Sequence, residues 1–166
     1  MKSHLGQHQT STPSALLGPQ ESKHNIDIRL ACVEDGVDNT GFRKIAAFIK
    51  SIHPNTKVAY VPTANLRNLI GVLMERGGGN LNNNDTHRVA QFMAEGDIAA
   101  FSSMTQSSRT VYKIIANVRI INPHSYIVWG GIHPIIHPED AIKHADAVCT
   151  GEGEFAFKNF LELFRS

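Results

Sequence analysis

Cysteine is scarce in this sequence: 166 residues hold two, Cys32 and Cys149, far apart along the chain. That excludes a four-cysteine zinc site and any iron–sulfur cluster held by three cysteines of the chain itself. It also excludes a disulfide framework, and none is needed, because a domain of this length buries about 68–70% of its unfolded surface unaided. An excess of charge of one sign is missing too: 16 Lys+Arg stand against 15 Asp+Glu, a formal net charge of +1. No basic field is on offer to nucleic acid. No apolar run approaches the ~20 residues that span a bilayer. Near the N-terminus the longest apolar stretch is Ala15-Leu16-Leu17, shorter than the ~7–15 residues of a secretory h-region. The expectation is a cytoplasmic protein without nucleic-acid or membrane partners, its two cysteines buried and reduced.

What is present reads as one globular domain, with 42% hydrophobic and 19% charged residues. Residues 1–25 are rich in Ser, Thr, Gln, His and Pro, too polar to offset their ordering entropy, and read as a disordered leader. From Ile26 the pattern changes. Strands are expected over Ile26–Val33, Lys57–Val61, Asp97–Phe101, Tyr126–Trp129 and Ala147–Cys149. Helical spacing covers Gly41–Ile52, with Asp38, Asn39 or Thr40 as its cap, and Gln106–Ile121, with apolar residues at 111, 114, 115, 118 and 121. Shorter helices are expected over Leu66–Met74, 87–95 (capped by Asp85 or Thr86) and from Pro138 to about His144. Gly153–Phe164 closes the chain with Phe155, Phe157, Phe160, Leu161 and Phe164 as apolar contacts. Gly77–Asp85 reads as a flexible loop.

Strands and helices thus alternate five times. That alternation predicts an α/β, flavodoxin-like (Rossmann-like) doubly wound fold over residues 26–166, a five-stranded parallel sheet in the order 2-1-3-4-5. Ligands of such sheets bind beyond the carboxyl ends of the strands, so the loops there are the candidate site. Ser102-Ser103-Met104-Thr105 follows the third strand. Its hydroxyls can line a polar pocket, or Ser103 or Thr105 can simply cap the next helix. Gly130-Gly131-Ile132-His133-Pro134 follows the fourth. Paired glycines there serve either a tight turn or the close approach of backbone to a ligand. His133 and His137 are four apart, but Pro134 and Pro138 argue against the continuous helix that would pair them on a metal, so no metal site is assigned and His133 is expected to bond backbone or a ligand. Gly151-Glu152-Gly153-Glu154 follows the fifth strand. Its glutamates would repel phosphate, and Glu154 suits a helix start. Nucleotide-phosphate fingerprints and a nucleophile elbow are absent.

Taken together, Gly130-Gly131-Ile132-His133-Pro134, Pro138-Glu139-Asp140-Ala141, Asp146-Ala147-Val148 and Gly151-Glu152-Gly153-Glu154 form an ordered set over residues 129–154. This set resembles the N-terminal cobalamin-binding domain of B12-dependent radical S-adenosylmethionine enzymes. The resemblance implies cobalamin lying across the carboxyl ends of the strands. It implies a binding role for Ser102, Ser103, Met104 and Thr105 after strand 3, Gly130, Gly131, His133 and Pro134 after strand 4, and Gly151, Glu152 and Gly153 after strand 5. The wider fold carries a Ser-x-Leu element and a Gly-Gly pair, matched here by Ser102-Ser103-Met104 and Gly130-Gly131. The serine would offer a hydroxyl to the nucleotide tail, and the glycines would leave room for it.

Two elements of the family pattern are missing. The Asp-x-His-x-x-Gly element that supplies a histidine to cobalt would place Gly36 at its aspartate and Asp38 at its histidine when its glycine is set on Gly41. The Cys-x-x-x-Cys-x-x-Cys motif of the radical domain is also absent, so the [4Fe–4S] cluster and S-adenosylmethionine are expected only on a missing or separate domain, in cis or in trans. The chain alone is then a binding module without catalytic residues of its own. Its rivals are a cofactor-free interaction or regulatory module, and a flavin- or phosphoacceptor-type flavodoxin-like protein.

Overall fold

A computed structural model describes residues 26–34, 39–63 and 81–165. The leader, the helix expected over Leu66–Met74 and the glycine run Gly77-Gly78-Gly79 lie outside the described residues, as does the loop 35–38. Five strands, β1 (Ile28–Val33), β2 (Thr56–Val61), β3 (Ile98–Ser103), β4 (Tyr126–Gly130) and β5 (Ala147–Val148), form an all-parallel sheet ordered β2-β1-β3-β4-β5. The doubly wound α/β architecture expected from the sequence is the one observed. β1 is buried along its whole length and β3 nearly so, because helices cover both faces of the sheet.

The helices are α1 (Thr40–Ile52), α2 (Asn83–Ala94), α3 (Ser108–Ile121, entered through a 3₁₀ turn at Thr105–Ser107), α4 (Ile132–Ile136), α5 (Pro138–Ala141) and α6 (Gly153–Phe164). Strand alternation splits the core in two. On one face Ala31, Val33, Ala99, Phe101, Ile127 and Trp129 pack against Ala90, Met93 and Ala94 of α2 and Val111, Ile114, Ile115 and Val118 of α3. On the other, Ile28, Leu30, Cys32, Ile98, Ala100 and Val128 meet Phe42, Ala46 and Ile49 of α1 and Phe157 and Leu161 of α6.

Local departures have physical causes. The asparagine run opens a helix instead of continuing the loop: Asn82 accepts from the Asp85 N–H at 2.8 Å, and α2 starts at Asn83, so neither Asp85 nor Thr86 is the cap. A one-turn helix, α4, forms across Pro134 because the proline lies in its first turn, where no intrahelical N–H bond is lost. Phe155 is 68% exposed and does not serve the core, and Ile121 is also exposed. β3 and β4 run further than expected, to Ser103 and Gly130, so these residues belong to strands and obey strand alternation.

Candidate cofactor site

The register brings small side chains together on one face of the sheet. Leu30 pairs with Ala100 and Ala100 with Val128; one step toward the carboxyl ends, Cys32 pairs with Ser102 and Ser102 with Gly130. Ala100, Ser102 and Gly130 are too small to fill the space between the sheet and the helices α1 and α6. A cavity of about 250 Å³ remains. Its depth is walled by Leu30, Ile49, Ala100, Val128 and Phe157, all buried. At its mouth Met104, Ile132 and Ile135 line it and stay 39%, 43% and 48% exposed.

The polar side chains of the lining sit toward the carboxyl ends of the strands. Asn39 is the N-cap of α1 and its backbone carbonyl accepts from the Arg43 N–H at 2.9 Å, but its side chain makes no cap bond. Its Nδ2 donates instead to Cys32 Sγ at 2.9 Å and to Glu34 Oε2. Burial, with the Glu34 charge beside it, pushes the Cys32 thiol up to about 12, so it is a neutral thiol. Cys149 is only half-buried and lines the cavity, against the expectation of a fully buried thiol.

Gly131 closes the end of β4 with φ +95°, a conformation that favours glycine. A Cβ there would sit 2.7 Å from both N and O of Ser103. At this point the chain turns from β4 into α4. At Gly130 a Cβ would make ordinary contacts, 3.5 Å from Cys149 Cβ, and at Gly151 it would meet nothing within 4 Å. Gly151 borders open space, Gly130 has room for a Cβ in ordinary contact, and Gly131 borders backbone.

The residues singled out from the sequence divide accordingly. Ser102, Met104, Gly130, Gly131, Gly151 and Gly153 line the cavity. Ser103, Thr105, His133, Pro134 and Glu152 are not among its lining residues. Ser103 faces the opposite side of the sheet and accepts from Trp129 Nε1 at 3.0 Å, so it is not the cap of the next helix. His133 is 2% exposed, tilted against Trp129 at 5.0 Å between ring centroids, with Nε2 3.2 Å from the Tyr112 hydroxyl. Pro134 is buried beside it. Thr105 and Glu152 are exposed. His133 and His137 have ring centroids 5.5 Å apart, yet among the described residues no group of His, Cys, Asp or Glu is arranged to hold a metal ion. Sequence reasoning missed Ile132, Ile135, Ile45 and the Glu34–Asn39 pair. The two isoleucines lie inside the motif already noticed, and their spacing of three is a signal for one face of a helical turn.

The hollow thus lies at the carboxyl ends of β1, β3 and β4, bordered by paired glycines. The family model described as the B12 binding domain matches residues 61–161, more than half of the chain. The chain belongs to the B12-binding domain family. No curated protein matches it. Among solved structures, the TrkA-N domain of the inner membrane protein ybaL from Escherichia coli is similar at 21% identity, with a TM-score of 0.44, over 83% of this chain and 96% of that one. Among the described residues no helix is long and apolar enough to cross a membrane.

The cavity fits part of a B12 cofactor. At about 250 Å³ it lies below the ~300–1,000 Å³ of pockets that engulf a drug-sized ligand. It can admit the aromatic base of a B12 tail, and a corrin ring must lie outside it. The apolar depth suits a flat base, the Ser102 hydroxyl can meet a polar atom, and Met104, Ile132 and Ile135 offer an apolar surface at the mouth.

Proposed function

We propose that this B12-binding domain holds cobalamin with its nucleotide tail in the cavity and its corrin across the carboxyl ends of the strands. The observation that carries the reading is the hollow over Ala100, Ser102 and Gly130, open at the strand ends. Ser102 would bond the tail. Gly130 and Gly151 would keep the slot clear, Gly131 would make the turn beside it, Gly153 would leave room for Ile45, and Met104, Ile132 and Ile135 would support the ring. When bound, cobalamin supplies a cobalt centre for group transfer, and the protein supplies orientation and exclusion of water. Ser103, His133 and Pro134 would act from behind, by fixing the turn at Gly131.

The wider setting we propose is that of a B12-dependent radical S-adenosylmethionine system, with the cluster-bearing domain in cis or in trans and the whole in the cytoplasm. The ordered fragments over residues 129–154 support this setting. A cysteine triad encoded after Ser166 or in an adjacent reading frame would support it further, and B12 uptake with no such partner in the source organism would oppose it.

The binding reading is tested by mixing the protein with hydroxocobalamin, desalting, and recording the visible spectrum. Stoichiometric co-elution is expected, and its loss in Gly130→Val, whose γ-methyls would enter the slot. Colourless wild-type protein would sink the reading and favour a cofactor-free interaction module.

A further inference from the structure

We infer that the cavity selects among B12-type cofactors by the chemistry of the tail base, accepting a benzimidazole and discriminating against a purine. The inference rests on the reading that the tail enters the cavity. The side chains at its depth, Leu30, Ile49, Ala100, Val128 and Phe157, carry no donor or acceptor. The strand backbone offers none either, because β3 is paired along both edges, with β1 and with β4, and its N–H and C=O groups are engaged in those ladders.

Polar side chains occur in the lining only toward the strand ends. The Asn39 amide is already donating to Glu34 and Cys32, and the Cys32 thiol is held neutral. The groups left to a base are the Ser102 hydroxyl, the Asn39 side-chain carbonyl oxygen and the Glu34 carboxylate, all toward the strand ends and none at the depth. A dimethylbenzimidazole attached through one nitrogen has one ring nitrogen left and an otherwise apolar edge. An adenine attached in the same way has three ring nitrogens and an exocyclic amine. Entering the cavity would strip water from all of these, and those facing the apolar depth would find no partner to replace it. Buried polar groups left unpaired each cost about 1–3 kcal/mol, so adenine should be disfavoured by about 10–100-fold.

The test is a calorimetric titration of the full chain with three ligands: hydroxocobalamin, the cobamide with adenine as its base, and cobinamide, which lacks the tail. The expected order is cobalamin tightest by about 10–100-fold, with the adenine cobamide close to cobinamide. Adenine cobamide binding as tightly as cobalamin, and both tighter than cobinamide, overturns the selectivity while leaving the tail in the cavity. Equal binding of all three removes the tail from the cavity and overturns both statements. No binding of any overturns the proposed function itself. Val128→Thr, with Ala100→Ser as a second variant, places a hydroxyl at the depth. In whichever of the two keeps a cooperative unfolding transition, the ratio between cobalamin and the adenine cobamide should narrow. A ratio unchanged in a folded variant overturns the assignment of selectivity to this wall.

Discussion

The two faces of the sheet use the same strands for opposite ends. Toward α2 and α3, the side chains of β3 and β4 are Phe101, Ile127 and Trp129, and the space is filled. Toward α1 and α6, the same strands present Ala100, Ser102, Val128 and Gly130, and the space is hollow. Consecutive residues therefore do unlike work: Trp129 packs and Gly130 clears, Ser103 braces Trp129 and Ser102 borders the cavity. A parallel sheet covered on both faces can make a site in this way without a long loop, by choosing small residues at every second position over two or three strands.

The sharpest way to break the contrast is to change neighbours. Trp129→Ala should cost about 3–5 kcal/mol, the usual toll of removing a buried aromatic side chain, read as a lowered urea midpoint. Gly130→Val, one residue later, should leave stability within about 1 kcal/mol, because a strand tolerates valine and its Cβ makes ordinary contacts, while corrinoid uptake is lost. If Gly130→Val destabilised as much as Trp129→Ala, the hollow face would be a packed core after all.

Gly131 belongs to neither face, and its substitution should be costly for a backbone reason. With φ at +95° and a Cβ 2.7 Å from the Ser103 backbone, Gly131→Ala should cost about 1–3 kcal/mol. Loss of uptake in that variant would report on the turn, whereas loss in Gly130→Val reports on the slot. Ser103→Ala comes next. It leaves the Trp129 indole N–H buried without its acceptor, for about 1–2 kcal/mol, with corrinoid affinity changed less than two-fold. The same change at Ser102 should reverse that pattern, leaving the melting temperature unmoved and weakening uptake.

Sheet order and the alternation of elements were legible because each strand is a short apolar run closed by a breaker. The division of labour within motifs was not. Ser102 and Ser103 look alike until β3 is known to reach residue 103, since one position decides the face. His133 stands amid glycines and prolines, as a ligand would, yet the positive φ at Gly131 swings it into the core beside Trp129. Ala100 and Val128 read as ordinary core, because a hollow is made by what faces a residue as much as by the residue. The walls from α1 and α6, Ile45 and Phe157, read as amphipathic helix for the same reason.

The smallest effect, and the one that best separates the faces, is the response to acid. The Tyr112 hydroxyl gives its proton to Asp140 Oδ2, so His133 Nε2 must donate to the Tyr112 oxygen at 3.2 Å. That leaves Nδ1 as a bare acceptor, buried without a partner. Protonating His133 would bury an N–H with nothing to receive it. Burial accordingly holds its pKa below the usual histidine value, with His137 and His144 acting in the same sense and Asp140 opposing them. A histidine with a lowered folded pKa binds fewer protons folded than unfolded, so stability falls as pH drops through the ordinary value near 6.5. The slope is at most about 1.4 kcal/mol per pH unit for one proton. His53 is shifted in the same direction by its own burial and by Arg165, so the wild-type slope alone does not isolate the effect. His133→Phe keeps a ring against Trp129 and removes the titration. Its stability, followed by urea unfolding between pH 7 and pH 5, should fall less steeply than that of the wild type, whatever its value at pH 7. Parallel curves would mean that His133 is not the acid-sensitive point of the filled face.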